Sequence, residues 1–233
     1  MIEIGLGTTV CGFEAAIQGM RNPLESWDKS DSIFAEYMEP DDIPKIGPND
    51  LDLMTRLAKA GSEHAKYKRM IVVYADITAP LYWWKEYDTY KVGTVANSCS
   101  TMHGIHKKNF TLDDFSCEHL GYYDYGAGQY EVVSPMEDLH LEKYTATDIL
   151  EDVIHALNFY RERYLETKDK KYWWQMIQLL PSSYNQKRTV MLNYEVLTNI
   201  YRQRKEHKLD EWRAFCEWIK DLPYSEIITL KED

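Results

Sequence analysis

Two spacings of apolar residues run through this chain, and they predict most of its elements. The most strand-like stretch is MIVVYA, Met70–Ala75, apolar and β-branched, the pattern of a buried strand. Ile2–Val10 is short, apolar and Gly-punctuated and reads as a strand and turn. Phe13–Met20 reads as a first short helix, and Asn22–Pro48, rich in Pro, Asp and Ser, as loop. Asp50 is placed to cap a helix through Leu53, Met54, Leu57 and Ala58 that stops at Gly61. Thr78-Ala79-Pro80 suits a helix start and LYWWKEYDTY would be that helix, with Lys91–His103 a Gly/Asn/Ser-rich loop behind it. Thr111–Phe115 looks like a helix start, and Tyr122–Gln129 is a Tyr/Gly-rich loop. Thr145-x-x-Asp148 resembles a capping box ahead of a helix with Ile149, Val153, Ala156, Leu157, Tyr160 and Tyr164 on one face. Further helices are expected over Tyr172–Leu180 and from Asp210 to Lys220. The sum is helix-rich with a minor β component, an α+β pattern carrying a small antiparallel sheet.

The stretch Leu180–Trp212 carries the most unusual pattern. Pro181 opens it, a polar run Ser182–Arg188 follows, and a helix fits from Val190 to Lys208. Val190, Asn193, Leu197, Ile200, Tyr201 and Arg204 share one face of that helix. Asn193 and Arg204 are polar members of an otherwise apolar stripe. A guanidinium in a buried stripe needs an anion or carbonyl partner, so Arg204 meets either a ligand or an acidic side chain of the chain itself. Arg202, in phase with Thr198 and Asn199, is expected to be solvated. If Arg204 meets a ligand, this phase argument has Arg204→Ala weakening its binding more than Arg202→Ala.

With 233 residues, 44% of them hydrophobic, the chain suffices for a sizeable core, and no linker divides it, so one domain over 1–233 is expected. A net charge of −11 argues against binding a nucleic-acid backbone, although a few local arginines can still hold one phosphate. Cys11, Cys99, Cys117 and Cys216 form no CxxC, and the seven histidines show no ligand spacing, so no disulfide framework or metal site is expected. No apolar run reaches membrane-spanning length and no secretory start is present, which reads as a cytoplasmic protein.

Two segments hold candidate chemistry. In Tyr90–Ser100, Gly93 and the small hydroxyl residues let backbone approach a ligand, and Asn97 and Ser100 offer donors; a plain surface loop has the same composition. In the second, Asn185, Gln186, Lys187, Arg188, Asn193, Arg202, Arg204 and His207 form a local basic and amide cluster. That cluster fits either an anion site or cations complementing a helix C-terminus.

Taken together the segments resemble a divergent flavin-dependent thymidylate synthase. The order LMTRLAKAGSEH (Leu53–His64), MIVVYADITAP (Met70–Pro80), LYWWKEYDTY (Leu81–Tyr90) follows that family's order of parts over residues 45 to 220. Against the family signature RHRxxSxNExSxRY the chain reads Tyr90 to His103, matching at Asn97 and Ser100, with Tyr90, Lys91 and Val92 at the RHR positions. A one-residue shift puts Lys91 at the third basic position. Leu180-Pro181, Asn193, Leu197, Asn199, Arg204, His207 and Trp212 follow the family's C-terminal pattern.

The resemblance implies the family's α+β fold and a homotetramer with active sites between subunits. It implies reductive C5 methylation of dUMP or a related pyrimidine deoxynucleotide, with FAD as cofactor and NADPH and methylenetetrahydrofolate as co-substrates. It assigns Arg204 and Ser100 to catalysis, with Arg204 polarising the pyrimidine. Arg188, Ser100 and Arg204 would bind substrate, and Lys91, Asn97, Asn193 and His207 the flavin neighbourhood. The rewritten signature keeps a second expectation open: a non-catalytic or regulatory nucleotide-binding homologue that has lost flavin chemistry.

Overall fold

A computed structural model of the chain describes residues 1–34, 44–121, 130–132 and 142–230. The expected Tyr122–Gln129 loop lies outside them. The fold is α+β: rich in helix, with a small, largely antiparallel sheet. Its residues gather into two compact units that alternate along the chain: Met1, Ala79–Tyr82 and Cys99–Gln186 form one, and the rest form the other.

The larger unit holds the five-stranded sheet. β1 (Glu3–Ile4) and β2 (Thr9–Cys11) both pair antiparallel with β3 (Val72–Pro80), β3 neighbours β7 (Asn185–Asn193), and β7 pairs antiparallel with β4 (Val95–Ser98). Strand period explains β3: Val73, Ala75, Ile77 and Ala79 are buried in alternation. The expected strand thus runs on to Pro80, and Pro80 ends it rather than opening the next helix. α3 (Leu81–Tyr87) buries Trp83, Trp84 and Tyr87. Trp83 packs on Trp212 and Phe215 of α7 (Asp210–Lys220), an aromatic core beneath α3. α1 (Phe13–Arg21) and α2 (Pro48–Lys59) are fastened by one buried ion pair, Arg21 Nε to Asp50 Oδ1 at 2.6 Å. Asp50 Oδ2 also accepts from the Ser30 and Ser32 hydroxyls and the backbone of Asp31 and Ser32. Asp50 is therefore not the cap the sequence suggested; Gly47 precedes the helix, and Asp50 turns inward to neutralise Arg21.

Three further expectations are corrected. The segment read as one helix from Val190 splits at Asn193: Val190–Asn193 finish β7, and α6 runs Tyr194–Arg204. The short apolar repeat VML fits either period, and pairing with β4 settles it as strand. The Lys91–His103 loop contains β4, whose side chains are all exposed, so no buried face marked it in the sequence. On α4 (Ala146–Thr167) the buried residues are Thr147, Leu150, Ile154 and Leu157, and Ile149 is exposed, so the true face is turned from the expected one.

The smaller unit packs α4 against α5 (Lys170–Leu179) over Ile105, Phe110, Phe115, Leu157 and Met176. Thr145 and Asp148 form the expected capping box, Asp148 N donating to Thr145 Oγ1 at 3.2 Å and Thr145 N to Asp148 Oδ2 at 2.7 Å. A hairpin of β5 (Tyr130–Val132) and β6 (Glu142–Tyr144) also belongs to this unit.

Candidate functional site

α6 starts where β7 ends, and one residue makes the junction. Asn193 Oδ1 accepts from Val196 N at 3.0 Å, capping the helix, while its amide nitrogen donates to the carbonyls of Gly93 at 3.3 Å and Val92 at 3.4 Å. Tyr194 N donates to Ile71 O, pinning the first turn to the start of β3. Gly93 has φ +71°, and a Cβ there would sit 2.6 Å from the Asn193 amide nitrogen. The glycine is thus required twice over, by conformation and by space.

Of the residues predicted for a site, Arg204 and His207 are brought together. Arg204 Nη1 lies 2.7 Å from Glu86 Oε2 and 2.9 Å from His207 Nε2, its Nε donates to Tyr90 Oη at 2.9 Å, and its guanidinium lies 4.7 Å from the Trp212 ring centre. Trp212 Nε1 donates to the same Glu86 oxygen. Glu86 is the hub of this cluster, so of the two readings of Arg204 the structure contains the ion pair within the chain. Arg188, on β7, pairs with Asp88 at 2.8 Å and lies over the Trp84 ring at 4.2 Å. Asn97 sits exposed on β4 opposite Thr189, and Lys91 is exposed in the turn before it. Ser100 belongs to the smaller unit, where its hydroxyl accepts from the backbone of Met102 and His103.

Behind Asn193 the larger unit opens a cavity of about 650 Å³. It lies between one side of α6, the end of α2, the 3-10 turn Lys66–Met70 and α8 (Glu226–Thr229). Among the described residues its charged lining is Lys59, Lys68, Arg69, Arg202 and Lys205 against one carboxylate, Glu195. In a chain of net charge −11 this is a local inversion of sign, and a lining of that sign favours anions over cations. The volume falls within the range of small-molecule pockets, roughly 300–1,000 Å³. Lys68 is the unusual member: it is 1% exposed, and burial pushes its ammonium down to about 8 against a weaker upward pull from Glu195.

The sequence reading placed Asn193 at this site and Arg202 in a basic cluster, but passed over Lys59, Lys68 and Arg69. A signal existed. Glu195, Thr198, Arg202 and Lys205 recur at i, i+3, i+7 and i+10, a polar stripe beside the apolar one. It went unread because a polar helix face is ordinarily just solvated. Once α6 begins at Tyr194, that stripe is the wall of the cavity, and Arg202 rather than Arg204 lies on it.

No protein-family model matches the chain, and no curated protein matches it. Its fold is that of the flavin-dependent thymidylate synthases. Two structures of thymidylate synthase X (ThyX) from Helicobacter pylori with FAD and dUMP match it at TM-scores of 0.61 and 0.63, each at 14% identity. The matches cover 99% of this chain and 96% and 97% of theirs. A UMP/dUMP methylase, PolB, from Streptomyces cacaoi bound with 5-Br dUMP matches at a TM-score of 0.54 and 13% identity, over 98% of this chain and 93% of that one.

Proposed function

We propose that the cavity beside α6 binds a phosphate-bearing pyrimidine nucleotide or flavin, and that the protein is a flavin-dependent, thymidylate-synthase-like enzyme. The reaction would be reductive methylation at C5 of dUMP or a relative, with methylenetetrahydrofolate as carbon donor and NADPH as reductant. The observation that carries this reading is the cationic cavity in an acidic chain, on a fold whose solved examples hold FAD and dUMP. The donor set suits FAD: its diphosphate needs several cations, which the wall provides, and the exposed turn at Val92–Gly93 leaves backbone accessible beside Asn193. Bound flavin would supply the hydride; protein groups hold, orient and polarise. For Arg204 to polarise a pyrimidine it would have to exchange Glu86 for the ring carbonyl. A homotetramer is part of the same proposal, and light scattering of the purified chain tests it.

The alternative, a nucleotide-binding homologue without flavin chemistry, has one observation in its favour. Arg188 and Arg204, the two arginines assigned to substrate, both close on carboxylates of the chain itself, Asp88 and Glu86. Purified protein that is yellow, or that takes up FAD with a shift in flavin absorbance, supports the enzyme. Colourless protein whose melting temperature rises with dUMP and not with FAD supports the alternative. No response to either ligand overturns both.

A further inference from the structure

Lys68 is a charge that the fold buries without balancing. Its ammonium donates to Thr198 Oγ1 at 3.1 Å, and among the described residues no carboxylate lies within ion-pair distance of it. An ammonium has three donors, so two remain unassigned. The Thr198 hydroxyl donates onward to Tyr194 O at 2.8 Å, so it orients Lys68 and has no proton left for a ligand. A buried cation in this condition is costly unless an anion joins it.

The surroundings point to where that anion would come from. Lys68 lines the cavity, with Arg69 beside it on the same turn. α6 contributes Glu195, Tyr201 and Arg202, its C-cap is Lys205, and α2 contributes Lys59. α1 packs against the turn, but its Glu14 is exposed and its Arg21 is committed to Asp50. α8 contributes the uncharged Thr229. Among the described residues Glu195 is thus the one carboxylate of the cavity wall, close enough to pull on Lys68 yet not within ion-pair distance of it.

We propose that Lys68 is a proton-linked anchor: its ammonium takes oxygens of a phosphoryl group entering the cavity, with Arg202 at the rim, and binding draws a proton onto Lys68. This rests on the nucleotide-binding reading above and adds to it the group that meets the phosphate and the way pH controls it. No covalent step is involved; one proton moves from solvent to the amine as the anion arrives.

The sign of the pH effect follows from the burial of Lys68. In the ligand-free protein its ammonium loses its proton near pH 8, below the ordinary 10.5. The unfolded chain therefore holds more protons over that interval, and the ligand-free fold gains stability as pH rises through it. Anion affinity runs the other way. It is flat below pH 8 and falls up to about tenfold per pH unit above it. The two slopes have opposite signs and one origin.

The test is titration calorimetry of the intact chain with dUMP, FAD and inorganic pyrophosphate, from pH 7.5 to 9.5, in two buffers of different ionisation enthalpy. Uncharged deoxyuridine is the control. Expected are net proton uptake near pH 8.5 with the phosphorylated probes and none with deoxyuridine. Lys68→Met should bind phosphorylated probes about 10–100-fold more weakly and lose the proton uptake. Lys68→Arg should keep binding and lose the pH slope, and Glu195→Gln should tighten binding. If Lys68→Met does not fold, Glu195→Gln and Arg202→Gln carry the test, the second weakening binding without abolishing proton uptake. FAD or dUMP binding with wild-type affinity and slope in Lys68→Met overturns this inference and leaves the nucleotide reading standing. Pyrophosphate binding that depends on Lys68, with no FAD or dUMP binding, does the reverse. No binding of any probe overturns both.

Discussion

Residues that looked alike in the sequence are separated by what surrounds them. Arg204 and Arg202 are two positions apart, yet one closes on Glu86, Tyr90 and Trp212 and the other faces the cavity. Arg204→Ala is therefore expected to lower thermal stability by about 1–3 kcal/mol, because Glu86 and the Trp212 face lose a charged partner. Arg202→Ala should change stability by less than about 0.5 kcal/mol while weakening binding of FAD or dUMP. Paired melting curves and titrations of the two variants decide the matter; a greater loss of affinity in Arg204→Ala would restore the phase argument made from the sequence, and equal losses would sink it. That argument found a half-buried, partnered guanidinium but could not name its partner, since Glu86 lies 118 positions away. Lys68 was illegible for a related reason: a lysine between Tyr67 and Arg69 looks solvated until the packing of α6 covers it.

At the scale of elements, short-range signals were the readable ones. The capping box at Thr145, the helix from Asp210 and the strand MIVVYA were legible because each is written in neighbouring residues. The β7–α6 junction was not, because strand and helix are both apolar there and only pairing with the exposed β4 tells them apart. Its integrity depends on Asn193 and Gly93 acting on each other. Asn193→Ala should cost about 1 kcal/mol through the lost cap. Gly93→Ala should cost about 1–3 kcal/mol, combining a left-handed φ with a clash against the Asn193 amide. The double variant should cost less than the sum, since removing the amide removes the clash; strict additivity in urea unfolding would show that the two do not communicate.

For the molecule as a whole, the Asp50 centre sets the acid limit of the larger unit. Burial alone would push this carboxyl up, but hydrogen bonds from Ser32, Ser30 and Arg21 outweigh it and hold the carboxyl below its ordinary 3.8. A depressed carboxyl contributes stability that is present above the unfolded value and lost as pH falls through the folded one. Urea unfolding should therefore weaken below pH 4. Asp50→Asn should cost about 3–5 kcal/mol at neutral pH, where it leaves Arg21 buried and uncompensated, and should flatten the acid limb. The overall architecture was legible through the order of its parts, even where the family signature was rewritten.

The shared residue at the end of β7 and the start of α6 also limits how this chain can change. There is no slack between sheet and helix: Asn193 terminates one and caps the other. A single inserted residue at this point would turn α6 by about 100° relative to the strand. Arg202 and Lys205 would then swing out of the cavity wall even though every side chain was retained. Point substitutions can retune the cavity one charge at a time, but an insertion or deletion here would exchange its whole lining at once. Length variation in descendants of this sequence is accordingly expected in other segments, with the spacing from Thr189 to Lys205 held fixed.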